Sequence, residues 1–178
     1  MSRLKERYDK EIIKLKEKYK RNIFSLPKLK KIVISMGLAK VIKEKDVLSQ
    51  HIKELSMLSG QKPIICKAKK SIANFKLRKG MAVGLKVTLR KKRMYDFLDR
   101  FINIVSPRIK DFRGFKIKTE GRGNFTIGIE DQQVFPEINL DEVKRVQGMN
   151  ISFITSSKNN EECIELMKIF GFPIKEVI

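Results

Sequence analysis

Between Ser56 and Tyr95 the chain carries twelve lysines and arginines and not one aspartate or glutamate. They are Lys62, Lys67, Lys69, Lys70, Lys76, Arg78, Lys79, Lys86, Arg90, Lys91, Lys92 and Arg93. The chemistry open to such a stretch is the binding of phosphate oxygens, by ammonium point charges and by planar guanidinium forks. Uncompensated like charge repels itself and opposes compaction, so the segment calls for a polyanion, and nucleic acid fits best. The whole chain agrees, with 40 Lys+Arg against 20 Asp+Glu, a formal charge of +20 and a pI near 10.1 over 178 residues. That is the electrostatic footprint of a phosphate-binding protein. A membrane surface fits less well, because the charge is spread over strands and loops and not gathered on one amphipathic helix.

Catalysis has little to work with. His51 is the only histidine, its HIKEL context lacks the second histidine of a HExxH zinc site, and it reads as a solvated helix-surface residue. No Walker-type phosphate loop is present, and Gly121-Arg-Gly123 lacks the third glycine of a dinucleotide fold. Asp111, Glu120, Glu130 and Asp131 sit at spacings that define no magnesium site for a nuclease. Cys66 and Cys163 form no CxxC pair and read as small buried thiols in a reducing compartment. The expectation is therefore no enzyme, no metal, no cofactor and no small-molecule substrate. No apolar run approaches the roughly 20 residues that span a bilayer, and no signal-peptide core follows Met1. The expected setting is the cytoplasm, or the interior of an organelle.

The elements that must position the charge follow from periodicity. Leu4, Tyr8, Ile12, Leu15 and Tyr19 form a helical stripe over residues 1–20, with Ser2 as its cap. Leu29 to Met36 reads as a strand ending at Gly37, and Asp46 as the cap of a second helix stopped by Gly60. Ile64 to Lys67 is a short strand, residues 69–80 a basic loop turning at Gly80, and Val83 to Leu89 the clearest alternating strand. Met94 to Val105 is an amphipathic helix ended by Ser106-Pro107, and residues 111–124 a long connection. Strands at Phe125 to Ile129 and Ile151 to Ser156, and a helix from Asn160 to Phe170 closed by Gly171, complete the pattern. The reading is one α+β domain over 1–178: roughly five strands in a mostly antiparallel sheet, with about four helices covering one face. The other face, carrying Lys86, Thr88 and Arg90, stays available to RNA.

Several strings in register then become informative. Ser59-Gly-Gln-Lys-Pro63, Lys67-Ala-Lys-Lys-Ser71, Phe75-Lys-Leu-Arg-Lys-Gly80 and Lys86-Val-Thr-Leu-Arg90 are followed by Pro107-Arg-Ile-Lys-Asp-Phe-Arg-Gly114, Gly121-Arg-Gly-Asn124, Phe135-Pro-Glu-Ile138 and Phe172-Pro173. Together they resemble the bacterial-type large-subunit ribosomal protein five family over nearly the whole chain. The resemblance implies a ribosomal role without catalysis. It implies anchoring of 5S rRNA in the central protuberance beside 23S rRNA and neighbouring proteins, contact with the peptidyl-site tRNA elbow, and a bridge to small-subunit protein thirteen.

Carried over by motif, the 5S rRNA surface comprises Ser35, Met36, Gly37, Gln61, Lys62, Lys67, Thr88 and Arg90. Gln61 and Thr88 offer directional hydrogen bonds, Arg90 a fork, and Lys62 and Lys67 phosphate contacts that position without reading sequence. Gly37 either lets backbone approach RNA closely or simply ends the strand. The implied tRNA-facing loop holds Lys69, Lys70, Ser71, Asn74, Phe75, Lys76, Arg78 and Lys79, with Phe75 either stacking on RNA or pinning the loop to the core. The implied bridge lies within residues 132–147, at Glu137, Asp141 and Glu142, which read equally as a solvated charge cluster. The chain departs from the family at Ser35 (commonly Asn), Ala39 (Gly), Asn74 (Gly) and Lys91 (Gly). Asn74 tolerates the left-handed backbone that a glycine would supply. A nuclease, or an RNA chaperone working off the ribosome, are the alternatives.

Overall fold

The computed structural model describes residues 2–38, 45–115, 123–140, 143 and 145–175. The elements run α1 (Arg3–Tyr19), β1 (Leu29–Gly37), α2 (Lys45–Ser59), β2 (Ile64–Lys67), β3 (Ala82–Leu89), α3 (Lys91–Arg100), β4 (Phe125–Ile129), β5 (Met149–Thr155) and α4 (Asn160–Phe170). The strands form one five-stranded antiparallel sheet in the order β2-β3-β1-β5-β4, an α+β fold as the patterning predicts. β2 and β3 pair with Ile64 opposite Lys86 and Cys66 opposite Gly84.

Alternation assigns the two faces. Ile32, Ile34 and Met36 on β1, and Leu85, Val87 and Leu89 on β3, are essentially inaccessible, whereas Lys31, Val33, Ser35, Lys86 and Thr88 between them keep solvent contact. Burying the apolar set contributes roughly 1.5–3 kcal/mol per side chain, which fixes the register because a one-residue slip would exchange the faces.

Packing groups the chain into two compact units, residues 1–32, 89–127 and 152–178, and residues 33–88 and 128–151. The first is cored by aromatics: Phe125 stacks on Phe153 at 4.8 Å, and Phe101 lies 5.5 Å from Phe115 and 6.0 Å from Phe172. α1 is tied down within it, since the Tyr8 hydroxyl donates to the Pro27 carbonyl at 2.9 Å and its ring stacks on Phe170. Lys18 and the Tyr19 hydroxyl both donate to the Glu165 carboxylate, which holds that carboxyl below its usual range. The second unit is cored by Val47, Leu55 and Leu58 of α2, Ile34 and Met36 of β1, Leu85 and Val87 of β3, and Phe135 and Ile138.

Several local expectations need correction. Ser2 precedes α1 but its side chain makes no cap; its carbonyl accepts from the Lys5 and Glu6 amides instead. Asp46 lies inside the first turn of α2, not before it. Pro107 does not end the third helix. A wide π turn over Phe101–Val105 carries it on to Arg108, with the Ser106 amide and hydroxyl both donating to the Phe101 carbonyl. The wider spacing removes the demand for the i−4 bond that proline cannot make. Cys163 is fully buried, which pushes its thiol up to about 11, but Cys66 is only half-buried because β2 is an edge strand.

His51 departs furthest from expectation. It is fully buried, with Nδ1 2.9 Å from a Glu54 carboxylate oxygen, because it shares the inward face of α2 with Val47, Leu55 and Leu58. Residue type suggests exposure for a lone polar residue on an apolar stripe, but its position on the stripe decides burial.

Gly84 is the tightest point between β3 and β1: a Cβ there would stand 2.8 Å from the Met36 carbonyl oxygen. Gly84→Ala is expected to destabilise the protein by about 1–3 kcal/mol, read from urea unfolding at constant m-value.

Candidate nucleic-acid interface

The candidate surface in the second unit is the outward face of its strands. From β1 it takes Val33, Ser35 and Gly37, from β3 Gly84, Lys86 and Thr88, and from β2 Ile64 and Cys66. None of these eight residues carries a carboxylate, and Lys86 adds a cation to the face. Ser35 and Gly37 line one groove of about 340 Å3 together with Gly128, Gly148 and Asn150, and Glu130 at its wall is its carboxylate. Space at Gly148 is tight, since a Cβ would stand 3.0 Å from the Ile129 carbonyl oxygen.

Gly37 behaves differently. It lies within β1, has no positive φ, and a Cβ on it would meet nothing within 4 Å. The fold does not demand glycine here, although Gly37 is the last residue of the strand.

The remaining residues of the expected 5S rRNA set are spread more widely. The Met36 side chain is buried in the core, so only its backbone is offered outward. Gln61 is half-buried in the turn after Gly60 (φ 64°), and Ser59 holds that turn: its hydroxyl donates to the Gln61 carbonyl at 2.9 Å. Lys62 and Lys67 are exposed, and Thr88 is half-buried. Arg90 belongs to the first compact unit, exposed at the N-cap of α3.

The basic loop is built and not merely tethered. The Ala68 amide donates to the Met81 carbonyl and the Gly80 amide to the Ala68 carbonyl, extending the β2–β3 hairpin. Ile72 and Leu77 then exchange both backbone bonds at 2.9 and 3.1 Å, and the Lys79 amide donates to the Ser71 hydroxyl at 3.0 Å. At the tip a 3-10 turn, Ala73–Phe75, closes on Lys76 with φ 50°. The left-handed residue is therefore Lys76 and not Asn74, whose place inside the turn needs ordinary dihedrals. Phe75 is 77 % exposed, so it does not pin the loop to the core; it is presented outward with Lys69, Lys70, Lys76, Arg78 and Lys79.

Of the expected bridge residues, Glu137 is half-buried, while Asp141 and Glu142 lie outside the described residues, as does Ala39. The segment's organiser is not visible in the sequence. Gln132, fully buried, donates through Nε2 to the Arg145 carbonyl at 2.9 Å and accepts the Gln147 amide through Oε1. Nothing local marks this glutamine, because its partners are thirteen and fifteen residues away. Among the described residues no cluster of three His, Cys, Asp or Glu side chains could hold a metal, and no helix is long and apolar enough to cross a membrane.

Comparison with known proteins now decides the family. Residues 22–78 match the model described as "Ribosomal protein L5", and residues 82–174 match the model of the same family's C-terminus. The chain belongs to the ribosomal protein L5 family. This is a family of structural ribosomal proteins and not of enzymes. A "Large ribosomal subunit protein uL5" of Protochlamydia amoebophila is 56% identical over 180 residues, covering 99% of this chain and 97% of its own. Relatives of the same name in Chlamydia felis and Chlamydia pneumoniae are 57% and 56% identical over 178 residues, covering 99% of both chains.

The geometry makes a signed prediction at Gly37. Gly37→Ala should leave the thermal midpoint unchanged or raise it, by up to about 1 kcal/mol in stability, while weakening RNA binding several-fold. A loss of stability would show that the fold needs this glycine after all.

Proposed function

We propose that this chain is a structural constituent of the large ribosomal subunit that binds 5S rRNA and anchors it in the central protuberance beside 23S rRNA. The observation that carries the reading is the open strand face: Ser35, Gly37, Lys86 and Thr88 present small, polar and basic groups without a carboxylate, backed by a buried apolar face. Gln61 and Thr88 supply the directed hydrogen bonds, Arg90 a planar fork, and Lys62 and Lys67 the phosphate contacts.

The ordered basic hairpin tip, with Phe75 outward among its cations, suits the elbow of a peptidyl-site tRNA. Every tRNA must be accepted there, so shape and backbone are read and not sequence. The segment braced by Gln132, with Glu137, Asp141 and Glu142, is assigned to the bridge with basic small-subunit protein thirteen.

Gln61→Ala combined with Arg90→Ala is expected to lower affinity for 5S rRNA at least about tenfold, roughly 1.4 kcal/mol, with an unchanged unfolding curve. Unchanged affinity at near-physiological salt would defeat the assignment. Neutralising Lys76, Arg78 and Lys79 together is expected to leave 5S rRNA affinity within about twofold while impairing peptidyl-tRNA binding in reconstituted ribosomes. A large loss of 5S rRNA binding would reassign the loop.

A further inference from the structure

The first compact unit holds a cavity of about 770 Å3 that none of these roles uses, apart from Arg90 on its rim. It opens among the start of α1, the start of β1 and the start of α3. Lys5, Lys28, Lys30, Arg90, Lys91 and Lys92 line it, and no carboxylate does so among the described residues. Besides Ser2, its other walls are apolar or aromatic: Leu29 and Met94, both buried, and Tyr95, half-buried against Phe170 at 6.1 Å. Such volumes are typical of sites that take a small organic group.

A ring of cations around an apolar floor states a pair of requirements. The occupant must be anionic outside and flat and apolar inside. A nucleotide released from its stack meets both, with its base on the floor and its phosphates on the rim. Duplex RNA meets only the first. We propose that this cavity takes an unstacked base from a single-stranded loop of ribosomal RNA, so that the protein clamps a loop as well as lying on a surface. The inference rests on the RNA-binding reading and extends it to residues that reading does not assign.

Lys91 strengthens the case. Its backbone is left-handed, φ 51°, a conformation that favours glycine, yet a lysine stands there and adds charge to the rim.

The test uses the full-length protein and a short oligoribonucleotide carrying one central 4-thiouridine, beside a blunt duplex of equal length. The single strand is expected to bind at least about tenfold more tightly at constant salt. Photo-crosslinks should map to the tryptic peptide Met94–Arg100. Lys91→Gly is expected to weaken the single strand several-fold and reduce its log–log salt slope by about 0.7, without lowering the thermal midpoint. Equal duplex affinity, crosslinks confined to other peptides, or displacement by polyglutamate as readily as by RNA would each overturn the proposal while leaving 5S rRNA binding intact. Binding of no RNA at all would overturn this proposal and the functional reading together.

Discussion

The structure depends on alternation along β1 and β3. Every second residue, Ile32, Ile34 and Met36 or Leu85, Val87 and Leu89, is committed to the core, and that commitment frees the residues between them for other work. Because the side-chain period of a strand is two, the apolar set holds the polar set in place: Ser35 cannot turn inward without bringing Met36 out. Close contact between the strands, seen where Gly84 meets the Met36 carbonyl, adds a steric lock to the hydrophobic one. A binding face made this way is rigid, because its members share their backbone with the core.

Charge is the second constraint and it acts against the first. A formal charge of +20 destabilises any compact state through self-repulsion. Outside the basic stretch, acids tie cations down on the helices: Glu165 holds Lys18 and Tyr19, Glu162 holds Arg21, and Asp99 holds Arg3. Between Ser56 and Tyr95 nothing offsets the cations within the sequence itself, so the neutralising charge is left to the partner. Binding by such a surface is coupled to counterion release and is steeply salt-dependent, and in the proposed function Gln61, Thr88 and Arg90 are the directed groups assigned to distinguish one RNA from another.

Much of this is legible in the sequence because it is local. Strand alternation, the Gly60, Gly80 and Gly171 turns and the apolar stripe of α1 each follow from neighbours within a few residues. What is not legible depends on distant partners or on a single misleading residue type. The polarity of His51 points to solvent although its place on the α2 stripe buries it, and Pro107 points to a helix end although a wide turn absorbs it. Gln132 closes a segment through partners that no local pattern reveals. At the interface, residue types show which side chains suit RNA, but the exclusion of Met36 from the surface and the outward pose of Phe75 need burial to decide.

The central claim is that directed contacts on the open face add to a general attraction for phosphate. It is tested most directly by measuring affinity for 5S rRNA and for an unrelated structured RNA of similar length across a salt series. The account predicts that both weaken as salt rises, but that 5S rRNA binding persists at high salt after the control has fallen away. If the two fall together along one steep slope with equal affinity, the surface is a general polyanion binder and the account is contradicted.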